Sequence, residues 1–177
     1  MRIYTKKGDK GYSTLIEGKR LQKSHLVFEL LGIIDELNSL LGICTLYSDK
    51  KTKKLLKDIQ DYIFSLGAYA SGFKNEVILE SIEKETKNLE YLIDTYSLKI
   101  PDLANFILPG GSEGASFLHL SRVVCRRLER VLVDYSKQNI ESRNLFKYIN
   151  RLSDLLFVLA RYDNYKHGIK DIIWKIR

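Results

Sequence analysis

Residues that interrupt helices are scarce in this sequence of 177 residues, which contains only 2 prolines and 11 glycines. Proline breaks a helix and glycine weakens one, so their scarcity argues against a loop-rich or all-β chain and favours long helices. Cysteine is scarce too. Cys44 and Cys125 lie far apart, each in an apolar pattern, and they form neither a CxxC pair nor a zinc-like spacing with histidine. We therefore expect both thiols to be buried, in a reducing compartment.

Long apolar runs are also missing. No stretch approaches the ~18 apolar residues of a membrane-spanning helix, and no apolar segment follows the charged residues at the N-terminus. The sequence therefore predicts a cytoplasmic protein without a membrane span or a secretory signal.

Positive charge is in excess, with a formal net charge of +7 and a sequence pI of about 9.3. Such an excess favours anionic partners such as phosphates, nucleotides, nucleic acid or acidic lipid. A lysine-rich, solvated surface is the alternative interpretation.

Helical periodicity begins near His25 and predicts five helices, at residues 25–47, 51–71, 76–97, 112–135 and 141–166. Short connections between long amphipathic helices make neighbours antiparallel, so the predicted fold is an all-α, five-helix up-and-down bundle. Three parts of one domain are predicted: a glycine-rich N-terminal arm at residues 1–24 with a short strand at 2–5, the bundle at 25–168, and a tail at 169–177.

Three arginines of the fourth helix are spaced at i, i+4 and i+8 and form one line, called the basic stripe below: Arg122, Arg126 and Arg130. A helical wheel puts His119 and Glu129 on the same polar side and puts Leu120 within the apolar, core-facing arc. Like charges at this spacing repel each other, so the stripe requires an anion or carboxylates opposite it. Arginine suits a phosphate chain because its guanidinium donates paired hydrogen bonds, whereas a solvated stripe balanced by acids is the alternative.

Polar residues within apolar helical segments are candidate partners for the stripe. Asp35 and Asn38 share one face of the first helix, and an acid between apolar neighbours is expected to be partly buried and paired with an arginine. An exposed acid is the alternative. Asn150 interrupts the apolar pattern of the fifth helix, and its side chain either contacts a ligand or is accommodated in the packing.

The arm from Lys6 to Thr14 places Gly8 and Gly11 among lysines and hydroxyl side chains. Glycines let backbone N–H groups converge on an anion, so this composition fits a phosphate-binding loop. It matches neither GxxxxGK[ST] nor GxGxxG, and a flexible basic arm is an equal interpretation.

Five segments together resemble the PduO-type ATP:corrinoid adenosyltransferases. In the order and rough spacing of that family they are Tyr4–Ser13, Gly32–Ser39 (G-x-x-D-E-L-N-S), Phe106–Ser112, Arg122–Arg130 and Tyr148–Phe157. The resemblance covers nearly the whole chain. It implies a homotrimer of five-helix bundles with ATP at the subunit interfaces and the corrinoid beside it.

The reaction that the resemblance implies transfers the 5′-deoxyadenosyl group of ATP to the cobalt of cob(I)alamin and releases triphosphate. Cobalt(I) is itself the nucleophile, which agrees with the absence of a catalytic triad or metal motif in the sequence. Fixed positive groups and Mg²⁺ assist the departure of the triphosphate. A corrin reductase and an adenosylcobalamin-dependent acceptor enzyme are the expected protein partners, and nucleic acid and membrane are not.

The resemblance also implies roles for individual residues. Arg126, Asp35, Arg122 and Phe106 are the catalytic group, in which Arg122 pairs with Asp35 across the subunit interface and Phe106 presses on the lower face of the corrin. Mg²⁺ is bound through ATP, with Glu129 as a candidate ligand. The ATP-binding residues are Thr5, Lys6, Lys7 (where the family usually has Thr), Gly8, Asp9, Gly11, Ser13, Thr14, Lys23, Arg126, Arg127, Glu129, Arg130 and Asn150.

Two other functions remain open at this stage. The net charge of +7 fits a helical nucleic-acid-binding protein, although no helix-turn-helix, zinc or RRM pattern is present. The second alternative function is that of a carrier, which binds a nucleotide or a corrinoid without catalysing a reaction.

Overall fold

The computed structural model describes residues 3–73, 76–137 and 144–176. Its five helices are α1 (Leu26–Cys44), α2 (Lys50–Ala70), α3 (Glu76–Ser97), α4 (Glu113–Ser136) and α5 (Asn144–Lys166). Its strands are β1 (Tyr12–Thr14), β2 (Arg20–Gln22), β3 (Ile107–Leu108) and β4 (Ile172–Ile173). The predicted all-α, five-helix fold is confirmed, and the predicted start of the fifth helix at residue 141 lies outside the described residues.

Side-chain caps explain where three helices begin. Asp49 accepts a hydrogen bond from the Thr52 amide at 2.9 Å, and Ser112 accepts one from the Ala115 amide at 2.9 Å. His25 Nδ1 caps α1 in the same way through the Val27 amide at 3.2 Å. Such caps satisfy amides that have no partner inside the helix.

The first helix ends earlier than the sequence predicts. It stops at Cys44 rather than at residue 47, and the hydroxyl of Ser48 donates to the carbonyl of Cys44 at 2.8 Å. Thr45 donates to the carbonyl of Gly42 at 2.8 Å. These local bonds satisfy the last carbonyls of the helix without another turn.

Contacts between helices show that consecutive helices alternate in direction. Cys44 and Glu36 of α1 meet Ser121 and Arg127 of α4, so this pair is antiparallel. The pair α4–α5 is antiparallel, because Ser112 contacts Asp163 and Glu129 contacts Asn150. The pair α3–α5 is parallel, because Glu90 contacts Arg151 and Tyr96 contacts Tyr162. Gln60 of α2 meets Asn38 of α1, and Gly67 meets Ile34, which makes α1–α2 antiparallel. The up-and-down arrangement is thus the one predicted.

The core is built from leucine and isoleucine on all five helices, and both cysteines belong to it. Burial raises the pKa of both the Cys44 and Cys125 thiols, as expected for unreactive side chains. The helical-wheel assignment of α4 is wrong at two positions, since His119 is buried and Leu120 is exposed. Because α4 packs between α1 and α5, its buried arc is wider than the wheel assumes.

Among the described residues, two short antiparallel pairs of strands lie outside the helices. The pairing of β1 with β2 folds the arm on itself, whereas β3 and β4 join the connection between α3 and α4 to the tail. The strand predicted at residues 2–5 is wrong for the described residues 3–5, which carry no strand. Within the described residues, no helix is long and apolar enough to cross a membrane.

Candidate functional site

The basic stripe runs along α4 as predicted. Arg126 and Arg130 are exposed, and the only hydrogen bond between them runs from Arg130 Nη1 to the backbone carbonyl of Arg126 at 3.1 Å. Among the described residues, neither forms an ion pair with a carboxylate. Two guanidinium groups on one face without counter-charges are therefore available to an anion.

Arg122 occupies a different environment at the start of the stripe. Its guanidinium lies over the ring of Phe157, 5.8 Å from the centroid, and its buried Nε has no hydrogen-bond partner among the described residues. Burial, and then the charge of Arg126, lower the pKa of Arg122. An acceptor is needed here, and Asp35 of the same chain does not supply it in the described contacts.

Asn150 and Glu129 lie where α5 crosses the stripe. The Asn150 amide donates to Glu129 Oε1 at 2.9 Å, and Arg151 Nη1 donates to Asn150 Oδ1 at 2.9 Å. Arg151 is held in turn by Glu90 at 2.9 Å. Asn150 and Glu129 are thus in direct contact with each other, and the predicted contact of both with ATP or Mg²⁺ stays a prediction.

Arg127 lies off the stripe. Its guanidinium forms an ion pair with Glu36 of α1. Its predicted contact with ATP stays a prediction, but within the chain this side chain connects α4 to α1.

The arm forms a turn that Lys23 covers. The amide of Gly11 donates to the carbonyl of Gly8, the amide of Lys23 donates to the carbonyl of Gly11, and a methyl group added at Gly8 would lie 3.0 Å from the Lys23 ammonium. Lys6 adopts a left-handed φ of 58° at the start of this turn. The remaining predicted ligands here are exposed or half-buried: Thr5, Lys7, Asp9, Ser13 and Thr14.

The arm is attached to the far end of α2 rather than to the stripe. Leu15 is buried, and the amide of Ile16 donates to the carbonyl of Ser71 at 3.1 Å. Within the described part of the chain, no hydrogen bond or ion pair joins residues 3–14 to the basic stripe.

Asp35 is exposed, which is the alternative left open above rather than the expected partial burial. It lines a groove of about 290 Å³ between α1 and α2 that also includes Phe64 and Ile16, both largely exposed. The side-chain oxygen of Asn38, in the same groove, is buried without a hydrogen-bond partner among the described residues. An apolar groove with polar groups lacking partners fits a surface that another chain covers.

Phe106 lies in the connection between α3 and α4, residues 98–111, called the Phe106 loop below. Its side chain is 82% exposed, and its carbonyl accepts a hydrogen bond from the Trp174 amide at 2.8 Å. A cavity of about 510 Å³ lies between this loop and residues 168–173 of the chain. Asn105 and Ile107 line this cavity and Phe106 does not, so the exposed Phe106 ring is a separate apolar surface, suited to a flat apolar ligand.

Sequence reasoning missed the residues that anchor the Phe106 loop. Arg161 Nη2 donates to the carbonyl of Pro101, and Asn164 donates to the carbonyl of Gly110 and accepts from the amide of Ser112. The available signal was the one used for Asn150: polar side chains inside an apolar stretch of the fifth helix.

No group of three or more histidine, cysteine or acidic side chains arranged to hold a metal occurs among the described residues. Glu129 has one oxygen engaged by Asn150 and is half-buried. A single carboxylate fits a Mg²⁺ ion that arrives with ATP, because Mg²⁺ is usually held mainly by substrate phosphates and water.

Comparison with known proteins identifies the family. The family model for cobalamin adenosyltransferase matches residues 3–163. This chain belongs to the cobalamin adenosyltransferase family. It is 38% identical to the corrinoid adenosyltransferase PduO of Citrobacter freundii over 99% of its length, and it spans 54% of that relative. It is also 38% identical to the corrinoid adenosyltransferase of Bacillus subtilis, over 97% of this chain and 91% of the other.

Solved structures of the adenosyltransferase family have the same fold. A variant of the PduO-type ATP:corrinoid adenosyltransferase of Lactobacillus reuteri, complexed with cobalamin and ATP, superimposes with a TM-score of 0.91 at 33% identity. The match covers 99% of this chain and 100% of that one. The likeness therefore includes the arm, the Phe106 loop and nearly all of the tail.

Proposed function

We propose that this chain transfers the 5′-deoxyadenosyl group of ATP to the cobalt of a corrinoid in the cobalt(I) state, releasing triphosphate. Family membership over nearly the whole chain, and the likeness to a structure complexed with cobalamin and ATP, support this activity. The observation that carries it is the basic stripe, whose exposed Arg126 and Arg130 have no carboxylate partners among the described residues.

The chemistry needs binding groups more than it needs a protein nucleophile. Cobalt(I) attacks the 5′ carbon of the ribose, and the bond from that carbon to the triphosphate oxygen breaks. Arg126, Arg130, Lys6 and Lys23 stabilise the negative charge that develops on the triphosphate. Holding the 5′ carbon against cobalt supplies much of the remaining acceleration.

The two phosphate-binding elements come together between subunits of a homotrimer in this proposal. Within one chain, the arm is attached to the end of α2 and makes no hydrogen bond or ion pair with the stripe among the described residues. Asp35 is exposed beside an apolar groove, and the Nε of Arg122 lacks an acceptor. Pairing Asp35 of one subunit with Arg122 of the next satisfies both groups and brings an arm to a neighbouring stripe.

Phe106 contacts the lower face of the corrin. There its ring displaces the lower axial ligand and favours a four-coordinate cobalt(II) centre, which is easier to reduce. Its 82% exposure leaves the ring free to make this contact. A reductase must supply the electron, and an enzyme that uses adenosylcobalamin must accept the product, so both are expected partners in the cytoplasm.

The activity is tested with purified protein, ATP, Mg²⁺ and cobalamin held in the cobalt(I) state, following the cobalt–carbon product by absorbance. Arg126→Ala should reduce kcat/KM about 100-fold, because a charge-assisted contact to the leaving group is lost. Lys57→Ala, which removes an exposed charge on α2, is the matched control. Wild-type turnover by Arg126→Ala would refute its role, and binding of both ligands without product would indicate a carrier.

A further inference from the structure

Two buried polar side chains of α5 hold the two ends of the Phe106 loop. Arg161, 8% exposed, donates to the carbonyl of Pro101 at 2.8 Å near the beginning of the loop. Asn164, 3% exposed, donates to the carbonyl of Gly110 at 2.9 Å near its end. Because these residues are three positions apart on one helix, they lie on the same face and act on the loop together.

Arg161 also holds the tail. Its Nε forms an ion pair with Asp171 at 2.7 Å, so one guanidinium connects α5, the Phe106 loop and the segment that leads into β4. A buried guanidinium requires acceptors for its donors, and this one has a carboxylate and a carbonyl from two different segments. Removing either partner leaves a charged donor without compensation.

The position of Phe106 depends on this anchor because little else fixes it. Its ring is 82% exposed, so packing does not hold the side chain. The pairing of Ile107–Leu108 with Ile172–Ile173 involves only two residues in each strand, and a strand pair this short is unstable by itself. Asp171 immediately precedes β4, so its ion pair sets where that strand begins.

We propose that Arg161 is a positioning residue for the corrinoid half of the reaction. Through Asp171 it keeps the tail paired with the Phe106 loop, and it thereby fixes the backbone from which the ring of Phe106 projects. This inference rests on the proposed function for the role of Phe106, whereas the mechanical part, in which Arg161 holds tail and loop together, does not.

The test compares Asp171→Asn with Lys166→Met. Asp171→Asn keeps the shape of a partly exposed side chain and removes the charge that Arg161 binds. Lys166→Met, the control on α5, removes a different ion pair, the one that Lys166 forms with Asp49 at the start of α2. Arg161→Met is a second variant, which removes the guanidinium that pairs with Asp171.

The first readout needs no corrinoid. Trp174 is the only tryptophan of the chain, and its amide bonds to the carbonyl of Phe106. In Asp171→Asn we expect the Trp174 amide to exchange with solvent about tenfold faster and its fluorescence to shift towards that of a solvated indole. Lys166→Met should leave both unchanged.

The second readout is kinetic. Asp171→Asn should raise KM for the corrinoid about tenfold and weaken the electron-paramagnetic signal of four-coordinate cobalt(II), because a misplaced ring binds the corrin poorly. KM for ATP should change less than about twofold, since the basic stripe and arm are untouched.

Two results would overturn the proposal. Unchanged Trp174 exchange and fluorescence in both Asp171→Asn and Arg161→Met would show that the ion pair does not hold the tail. Equal increases in KM for ATP and corrinoid would show a general loss of structure instead of positioning. If the wild-type protein forms no adenosylated product, the corrinoid role falls with the proposed function, and exchange and fluorescence alone then decide whether Arg161 is the anchor.

Discussion

The N-terminal arm and the Phe106 loop are both segments outside the helices, and the chain holds them in different ways. The loop is anchored by Arg161, Asn164 and the tail, all from its own chain. The arm is attached at Leu15 and Ile16, and its residues 3–14 stay mostly exposed. The fold anchors the loop at both ends, whereas it leaves most of the arm exposed.

This difference separates two kinds of residue in the proposed site. Changes in the anchors of the loop should reduce the free energy of unfolding, because buried hydrogen bonds are lost. Changes in the arm should affect ligand binding and leave stability nearly unchanged, because exposed lysines contribute little to folding. The predictions below test that separation.

The largest effect on stability is expected from Gly111→Ala. Gly111 has a φ of +116°, and an added methyl group would lie 2.0 Å from Oδ1 of Asn164. Backbone strain and the loss of the Asn164 bonds together should reduce the free energy of unfolding by about 3 kcal/mol, measured by urea denaturation. Gly18→Ala in the arm is the control: its φ is +88° with nothing within 4 Å, so only about 1 kcal/mol is expected. Equal losses would contradict the comparison.

Lys23→Ala in the arm should show the opposite behaviour. Removing the ammonium that lies over Gly8 should reduce kcat/KM with ATP about 50-fold, equivalent to ~2 kcal/mol, because a charge opposite the triphosphate is lost. Its free energy of unfolding should stay within about 0.5 kcal/mol of wild type. Lys19→Ala, on the same hairpin outside the predicted contacts, serves as the control. Undiminished turnover by Lys23→Ala would remove this residue from the site.

His119 makes the free energy of unfolding of the bundle depend on pH. It is 4% exposed, neither ring nitrogen has a hydrogen-bond partner among the described residues, and burial followed by the charge of Arg122 lowers its pKa to about 4. The unfolded chain, with an ordinary histidine pKa near ~6.5, binds more protons between these values, so stability falls as pH decreases through that window.

His119→Leu tests this effect. Between pH 7.5 and 5 the variant should gain about 1–2 kcal/mol of unfolding free energy relative to wild type, measured by urea denaturation at each pH. Leu118→Ile, a change at the buried neighbouring position, is the control for altered packing. A difference between His119→Leu and wild type that stays constant with pH would show that His119 does not titrate in this range.

The smallest effect is expected at an exposed ion pair. Asp49 caps α2, and hydrogen bonds from Lys166 and then from the Thr52 amide lower its pKa to about 2. Asp49→Asn keeps the cap and loses only the exposed pair, so a change below about 0.5 kcal/mol is expected. Asp49→Ala also loses the cap and should cost about 1 kcal/mol. If Asp49→Asn were the more damaging of the two, the pair with Lys166 would matter more than the cap.

The sequence predicts the helices better than the short strand pairs for a physical reason. Periodicity and caps such as Asp49 and Ser112 are local signals, so the five helices are found, with ends close to the observed ones wherever the structure describes them. Strand β3 has two residues, and its partner lies more than 60 positions along the chain. The residues near Ile107 carry no local pattern that predicts this pairing.

The same contrast applies to the site. The i, i+4, i+8 spacing predicts the basic stripe because one helix carries all three arginines. Arg161 and Asn164 differ from their surroundings in the sequence only as polar side chains in an apolar stretch. Their partners are mainly backbone groups of a distant loop, so no side-chain pattern predicts what they hold. His119 is misplaced because the wheel treats α4 as having one neighbour, whereas it packs against both α1 and α5.

The most direct test of the account mixes two inactive proteins, Lys23→Ala and Arg126→Ala, and allows their subunits to exchange. If the arm of one subunit completes the stripe of its neighbour, random mixed trimers contain intact sites and should recover about a quarter of wild-type specific activity. Each variant incubated alone under the same conditions is the control. A mixture that remains as inactive as its components would contradict the shared site and with it the central claim.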